Sequence, residues 1–239
     1  ILIGIPNLGS LPVFKFMHQG LDLLIVQYPP YVLFTFPSIY QLLPSREQSV
    51  FLDENGNDMK IDLFEVDNWK KYGWSIYSTE MTSLVKARFK LKNKDDWEER
   101  FADFKANRDV FVAASLVRAD RFYRSLNFRP KRKPPCNIIL FGGDMEWTIN
   151  KAILKFDAPR DRWKTSFWDP RFKDKILSPG DGMITRESLL GVPLAGVTST
   201  SWGISPMLIS FSLFVTQRHE NIHKDTTFKN NLLHILLMD

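Results

Sequence analysis

One cysteine stands in a chain of 239 residues. Cys136 has no partner within the chain, so a disulfide framework is excluded, and a cysteine-rich zinc site with it. Long apolar runs are also missing. A membrane-spanning helix needs about 18–20 consecutive apolar residues. The two best stretches fall short: Leu21–Leu43 is broken by Pro29, Pro30 and Pro37, and Val197–Val215 is diluted by Ser, Thr, Gly203 and Pro206. No Gly-x-Ser-x-Gly turn occurs between residues 1 and 239, and there is no glycine-rich phosphate loop or dinucleotide fingerprint. His219 and His223 are four apart, but Arg218 and Lys224 flank them and no third ligand joins the pattern, so a metal hydrolase has little support. Neither sign of charge dominates, with 32 Lys+Arg against 27 Asp+Glu and a net charge of +5. Aromatic and basic residues do not interleave as on a nucleic-acid surface. What the sequence does have is 44% apolar residues and 13% aromatics, enough for a packed core.

Local patterns divide the chain. Ile1-Leu-Ile-Gly-Ile-Pro-Asn-Leu-Gly-Ser10 reads as a buried strand running into a loop, and Leu11–Gly20 as a short helix stopped by Gly20. Residues 21–44 are apolar and proline-rich, a packed loop with a short helix. Asp53-Glu-Asn-Gly-Asn57 is a turn between two short strands. From Asp95 to Phe128 neither Gly nor Pro occurs, and Trp97, Phe101, Phe104 and Phe111 recur at helical spacing. Arg129–Pro135 breaks that segment. Asn137–Gly143 reads as a strand of a parallel sheet, Ser178–Gly182 as a punctuated turn, and Met207–Val215 as a further strand. A last helix carries Phe228, Leu232 and Leu236 at intervals of four, with Leu233 and Ile235 beside them. The order is that of the back half of an α/β protein with a helical insertion.

In such proteins a catalytic acid sits just past the carboxyl end of a strand. Two loops qualify, Gly142-Gly-Asp144 and Gly180-Asp-Gly182. A Gly-Asp-Gly string alone is more often a tight turn than a site, and Asp144 follows the cleaner strand. Of the four histidines, His18 lies in the first helix with no acidic neighbour in register, and His234 lies within the last helix. His219 follows a strand, sits in a polar turn and precedes the terminal helix, with His223 as its alternative. A serine hydrolase of α/β type has the chain order nucleophile, acid, histidine, and Asp181 then His219 fits the last two members. No nucleophile is evident. Ser10 follows Gly9 without making an elbow, and Cys136 precedes its strand.

These residues resemble a known family. Ile3-Gly-Ile-Pro-Asn-Leu-Gly-Ser10 is similar to the strand and loop after the nucleophile elbow in the lecithin:cholesterol acyltransferase family of α/β-hydrolases. Phe36-Pro-Ser-Ile-Tyr-Gln-Leu-Leu-Pro44 resembles its Pro-Ser-…-Leu-Leu-Pro segment. Gly56, Ile61-Asp62, Trp69 and Tyr72-Gly-Trp74 follow in family order. Gly180-Asp-Gly-Met-Ile184 resembles the acid loop, with Met183 where Thr is usual, and His219-Glu-Asn-Ile222 resembles the histidine turn.

The resemblance implies a partial α/β-hydrolase fold over residues 1–239, a mostly parallel sheet with flanking helices, and a helical cap at about 80–130. It favours Asp181 over Asp144 as the acid, with His219 as the base, and places the nucleophile serine upstream of Ile1. It implies acyl transfer from a lipid ester or phospholipid, with no cofactor and no metal. A peripheral membrane surface is a further implied partner, to which the basic run Arg129–Lys133 would add attraction. The missing disulfides favour an intracellular or membrane-peripheral location over a secreted one. Two other readings are a non-catalytic relative that binds lipid or protein in the cleft, and a soluble esterase. If the length is that of a fragment, Ile1–Ile5 forms an exposed sheet edge and stability is marginal.

Overall fold

The computed structural model describes residues 1–23, 25–93, 95–126, 136–191 and 209–238. The Arg129–Lys133 run lies outside the described residues. The first strand, β1 (Leu2–Ile3), leads through a loop into α1 (Leu11–Gln19). Pro12 stands in the first turn of α1, where no amide partner is needed, and Gly20 ends the helix at φ +96° while its N–H returns to the Phe16 carbonyl. Two strands, β2 (Leu21–Leu23) and β3 (Val26–Tyr28), then form an antiparallel hairpin where a packed loop was expected. Two short helices, α2 (Pro30–Leu33) and α3 (Pro37–Tyr40), precede β4 (Phe51–Leu52) and β5 (Asp58–Met59), which flank the expected turn.

The helical layer consists of α4 (Val66–Tyr72), α5 (Thr79–Lys92) and α6 (Trp97–Leu126). Ser78 caps α5 by accepting the Met81 amide at 3.1 Å. The 30-residue α6 is one continuous helix. Its Phe101 and Phe104 meet Phe89 of α5 at ring distances of 5.9 and 5.5 Å.

After β6 (Ile138–Gly143) comes β7 (Glu146–Ile149), then β8 (Ala152–Asp157) and β9 (Arg162–Ser166). The chain continues through α7 (Lys173–Ile176), β10 (Leu177–Gly180) and α8 (Arg186–Leu190), and ends with β11 (Ile209–Val215) and α9 (Thr226–Met238). The protein is therefore mixed α/β. Its site-bearing sheet is wholly parallel, in the order β1–β6–β11. The sheet β5–β4–β8–β9 is parallel only at β4–β8. Among the described residues the expected mostly parallel sheet is thus confined to β1, β6 and β11 and the β4–β8 pair, because β7 pairs antiparallel with β10 and β8 with β9, pairings that the sequence reading passed over.

Among the described residues two core regions frame the site, besides a small cluster of Leu52, Ile153 and Ile176. The large one gathers α1, the helical layer and the β4–β8–β9 sheet around Phe14, Phe51, Trp69 and Trp74, with Trp74 stacked on Phe51 at 4.9 Å. The other lines the parallel sheet. Side chains alternate along β6, so Phe141 meets Val215, Ile222 and Phe228 on the α9 face, while Leu140 meets Ile184 and Leu189 on the α8 face.

Candidate active site

The carboxyl ends of the three parallel strands converge. Gly4, just past β1, donates its N–H to the Phe141 carbonyl at 2.8 Å. A methyl group built on Gly4 would stand 3.0 Å from Cε1 of His219, and the residue has φ +57°, so this strand end stays open to the imidazole because it carries a glycine. Gly143 closes β6, and a methyl group there would lie 3.0 Å from Cβ of Asp181. His219 follows β11 by four residues. Sites of this kind form where strand ends meet in parallel sheets.

Asp181 reaches this point by a detour. The chain leaves β6, crosses the second sheet and returns along β10, which pairs antiparallel with β7 so that Gly180 lies opposite Glu146. Asp181 is 1% exposed. Its Oδ1 accepts the amides of Met183 (3.0 Å) and Ile184 (2.7 Å). Its Oδ2 faces Nδ1 of His219 at 2.8 Å. Its backbone carbonyl accepts the His219 amide at 2.9 Å, so main chain and side chain both join the two residues. The next amide, that of Gly182, donates to Oγ1 of buried Thr148 at 2.9 Å. Arg218 pairs with Glu146 at 2.9 Å and ties the histidine turn to β7.

A carboxylate at Nδ1 fixes the proton on that nitrogen and leaves Nε2 as the free lone pair. Among the described residues none hydrogen-bonds Nε2, and the side chain is 37% exposed. The Asp181 hydrogen bond raises the His219 pKa above the usual imidazole value, against the opposing effect of burial. An imidazole so held can take a proton at Nε2 and return it.

The other candidates lie elsewhere. Asp144 pairs with Arg186 at 3.5 Å. His223 and His234 are exposed, and so is Cys136, before β6. His18 packs in the large core, stacked parallel on Phe14, and its Nδ1 accepts the Ser75 amide at 3.2 Å. Ser10 is committed as a donor to the Met183 carbonyl at 2.6 Å. Ser188 likewise donates to the Gly9 carbonyl at 2.5 Å. These two bonds moor the loop after β1 to the acid loop and to α8. Thr148 went unread in the sequence, and Gly4 was read only within the loop after the first strand, since a lone Thr in an alternating strand and a Gly after a strand carry no chemical signature. Among the described residues no cluster of three or more His, Cys, Asp or Glu side chains could hold a metal, and no helix is long and apolar enough to cross a membrane.

No family model and no curated protein matches this chain. What the site can do follows from its own geometry.

Proposed function

We propose that Asp181 and His219 are the acid and base of a serine acyl-transfer triad, in a lipid-ester acyltransferase or lipase of the lecithin:cholesterol acyltransferase type on an α/β-hydrolase fold. The observation that carries this reading is the 2.8 Å contact from Oδ2 to Nδ1, with Nε2 open at the strand ends. The nucleophile would come from residues outside these 239. Support for that placement is the edge position of β1, which pairs only with β6 among the described residues.

In this scheme Nε2 removes the serine proton as the oxygen attacks the ester carbonyl. The resulting imidazolium, held by Asp181, passes that proton to the departing alcohol, leaving an acyl-serine. Nε2 then deprotonates the incoming water or alcohol, whose oxygen displaces the serine, and the proton returns to the serine oxygen. Burial of Asp181 behind two amide donors keeps the carboxylate aimed at Nδ1 through both halves of the cycle.

The test has two stages. The gene upstream of Ile1 should encode a Gly-x-Ser-x-Gly turn, and its absence would sink the reading. In the protein carrying that serine, Asp181→Asn should lower turnover by roughly 10⁴, as in the protease triad. A loss below tenfold would reassign the acid.

A second reading, a non-catalytic relative that binds lipid or protein in the cleft, is favoured by one observation. Two buried serines, Ser10 before α1 and Ser188 on α8, are engaged with backbone carbonyls rather than with His219. Hydrolysis of a short-chain ester that vanishes on His219→Ala would reject it.

A further inference from the structure

Between α2, α5 and α6 lies an apolar pocket of about 210 Å³, remote in sequence from Asp181 and His219. Tyr31, Val85, Phe89 and Phe104 line it, and Arg88 and Lys92 of α5 stand at it as well. Positions 85, 88, 89 and 92 share one face of α5. Val85 is buried, whereas Phe89 and Phe104 keep part of their rings accessible.

The two cations are one helical turn apart, a spacing at which like charges repel. Among the described residues neither forms an ion pair. Asp96, in the turn that follows, is taken by Arg100 at 2.6 Å, and Asp95, Glu98 and Glu99 face solvent. The Arg88 guanidinium lies 4.5 Å from the centre of the Tyr31 ring. Stacking engages the face of the guanidinium and leaves its N–H edge available to an oxyanion. Asn93 is already turned to the Phe89 carbonyl.

We propose that this pocket binds a fatty-acid carboxylate, its tail on Phe89, Phe104 and Val85 and its head on Arg88 and Lys92. The apolar lining recognises the tail, and the two unpaired cations supply the complementary charge for the head. The volume is below the roughly 300–1,000 Å³ of drug-sized sites, which suits a short chain. The inference does not rest on the triad, and its test reads binding alone, so either can fail without the other.

Isotope-labelled protein is titrated with octanoate below its micellar concentration and followed by NMR. Saturable shifts confined to Tyr31, Val85, Phe89 and Phe104 are expected. Hexanoate should bind more weakly, by about fourfold per CH₂ removed. Lys92→Gln, a surface change, should weaken octanoate binding by about fivefold to tenfold and leave octanol binding unchanged. Arg88→Gln should do the same. Shifts without saturation, octanol binding as tight as octanoate, or indifference to Lys92→Gln would each overturn the proposal. Tighter binding of octyl phosphate than of octanoate would overturn the carboxylate assignment.

Discussion

Replacing Thr148 by valine removes the oxygen that receives the Gly182 amide, with little change in volume. The amide of exposed Gly182 then loses a hydrogen bond worth about 0.5–1.5 kcal/mol. The acid loop should loosen, and the His219 pKa should fall toward its ordinary value in an NMR titration, while Thr148→Ser retains the bond. The two histidines with raised and lowered pKa values also make opposite predictions for stability against pH. His219 is raised by Asp181, so its contribution is fully present below the unfolded imidazole value and is lost as pH rises through the folded one. Asp181→Asn should abolish that dependence. His18 is lowered to about 4 by burial, against a smaller opposing effect of Glu80. Its contribution is present above about 6.5 and is lost as pH falls toward 4, on the order of 3 kcal/mol in all. Denaturant titrations of His18→Gln between pH 7 and 4 should show a flatter profile than the parent protein. At this scale the sequence marked the two residues that meet, by their order along the chain. It left Asp144 open, because which carboxylate faces a histidine depends on the return of β10 to β7, a contact that spacing does not encode.

Helices and strands with one clear period were legible. Leu11–Gly20, the aromatic positions of α6, the apolar run of β6 and the strand before His219 all read correctly, since one buried face imposes 3.6 or 2 residues on the pattern. Residues 146–166 did not, because β7, β8 and β9 mix charged and apolar positions, and β7 and β8 also pair with the distant β10 and β4. The β2–β3 hairpin hid behind the prolines that follow it. In α9 the expected stripe of Phe228, Leu232 and Leu236 is corrected: Phe228 is buried and Leu232 and Ile235 pack beside it, whereas Leu236 is 62% exposed. A step of seven returns to within about 20° of the starting face, and a step of eight overshoots by about 80°. Phe228 meets Phe141 edge-on at 5.1 Å. Phe228→Ala should therefore cost about 3–5 kcal/mol, measured by urea denaturation, and should release α9 from the sheet. Ser188→Ala should cost about 1–3 kcal/mol by leaving the Leu8 amide and Gly9 carbonyl without their side-chain partner.

At the scale of the molecule, β1 stands at the edge of its parallel sheet among the described residues. Ile1, just before β1, and Ile3 on it are 48% and 43% exposed, and register places Ile3 on the same face as Phe141. Unpaired edges with apolar side chains invite association, so Ile3→Lys should reduce light scattering of concentrated protein without lowering its melting temperature. Marginal stability is the matching expectation, and a cooperative melt above about 60 °C would argue against it. The division into two cores has a spectroscopic consequence. Trp69 and Trp74 are buried in the aromatic core, while no tryptophan belongs to the clusters around Phe141 and Leu140. Emission from the buried tryptophans therefore reports the aromatic core, whereas the exposed Trp147 on β7 stands opposite Pro179, next to the acid loop, and Trp202 lies outside the described residues. The imidazole proton signals of His219 report the site directly. Because Ser10, at the start of α1, is tied to Met183, the two signals should change together on heating. Separate transitions would mean that the part bearing Asp181 and His219 can melt while the buried tryptophans stay silent.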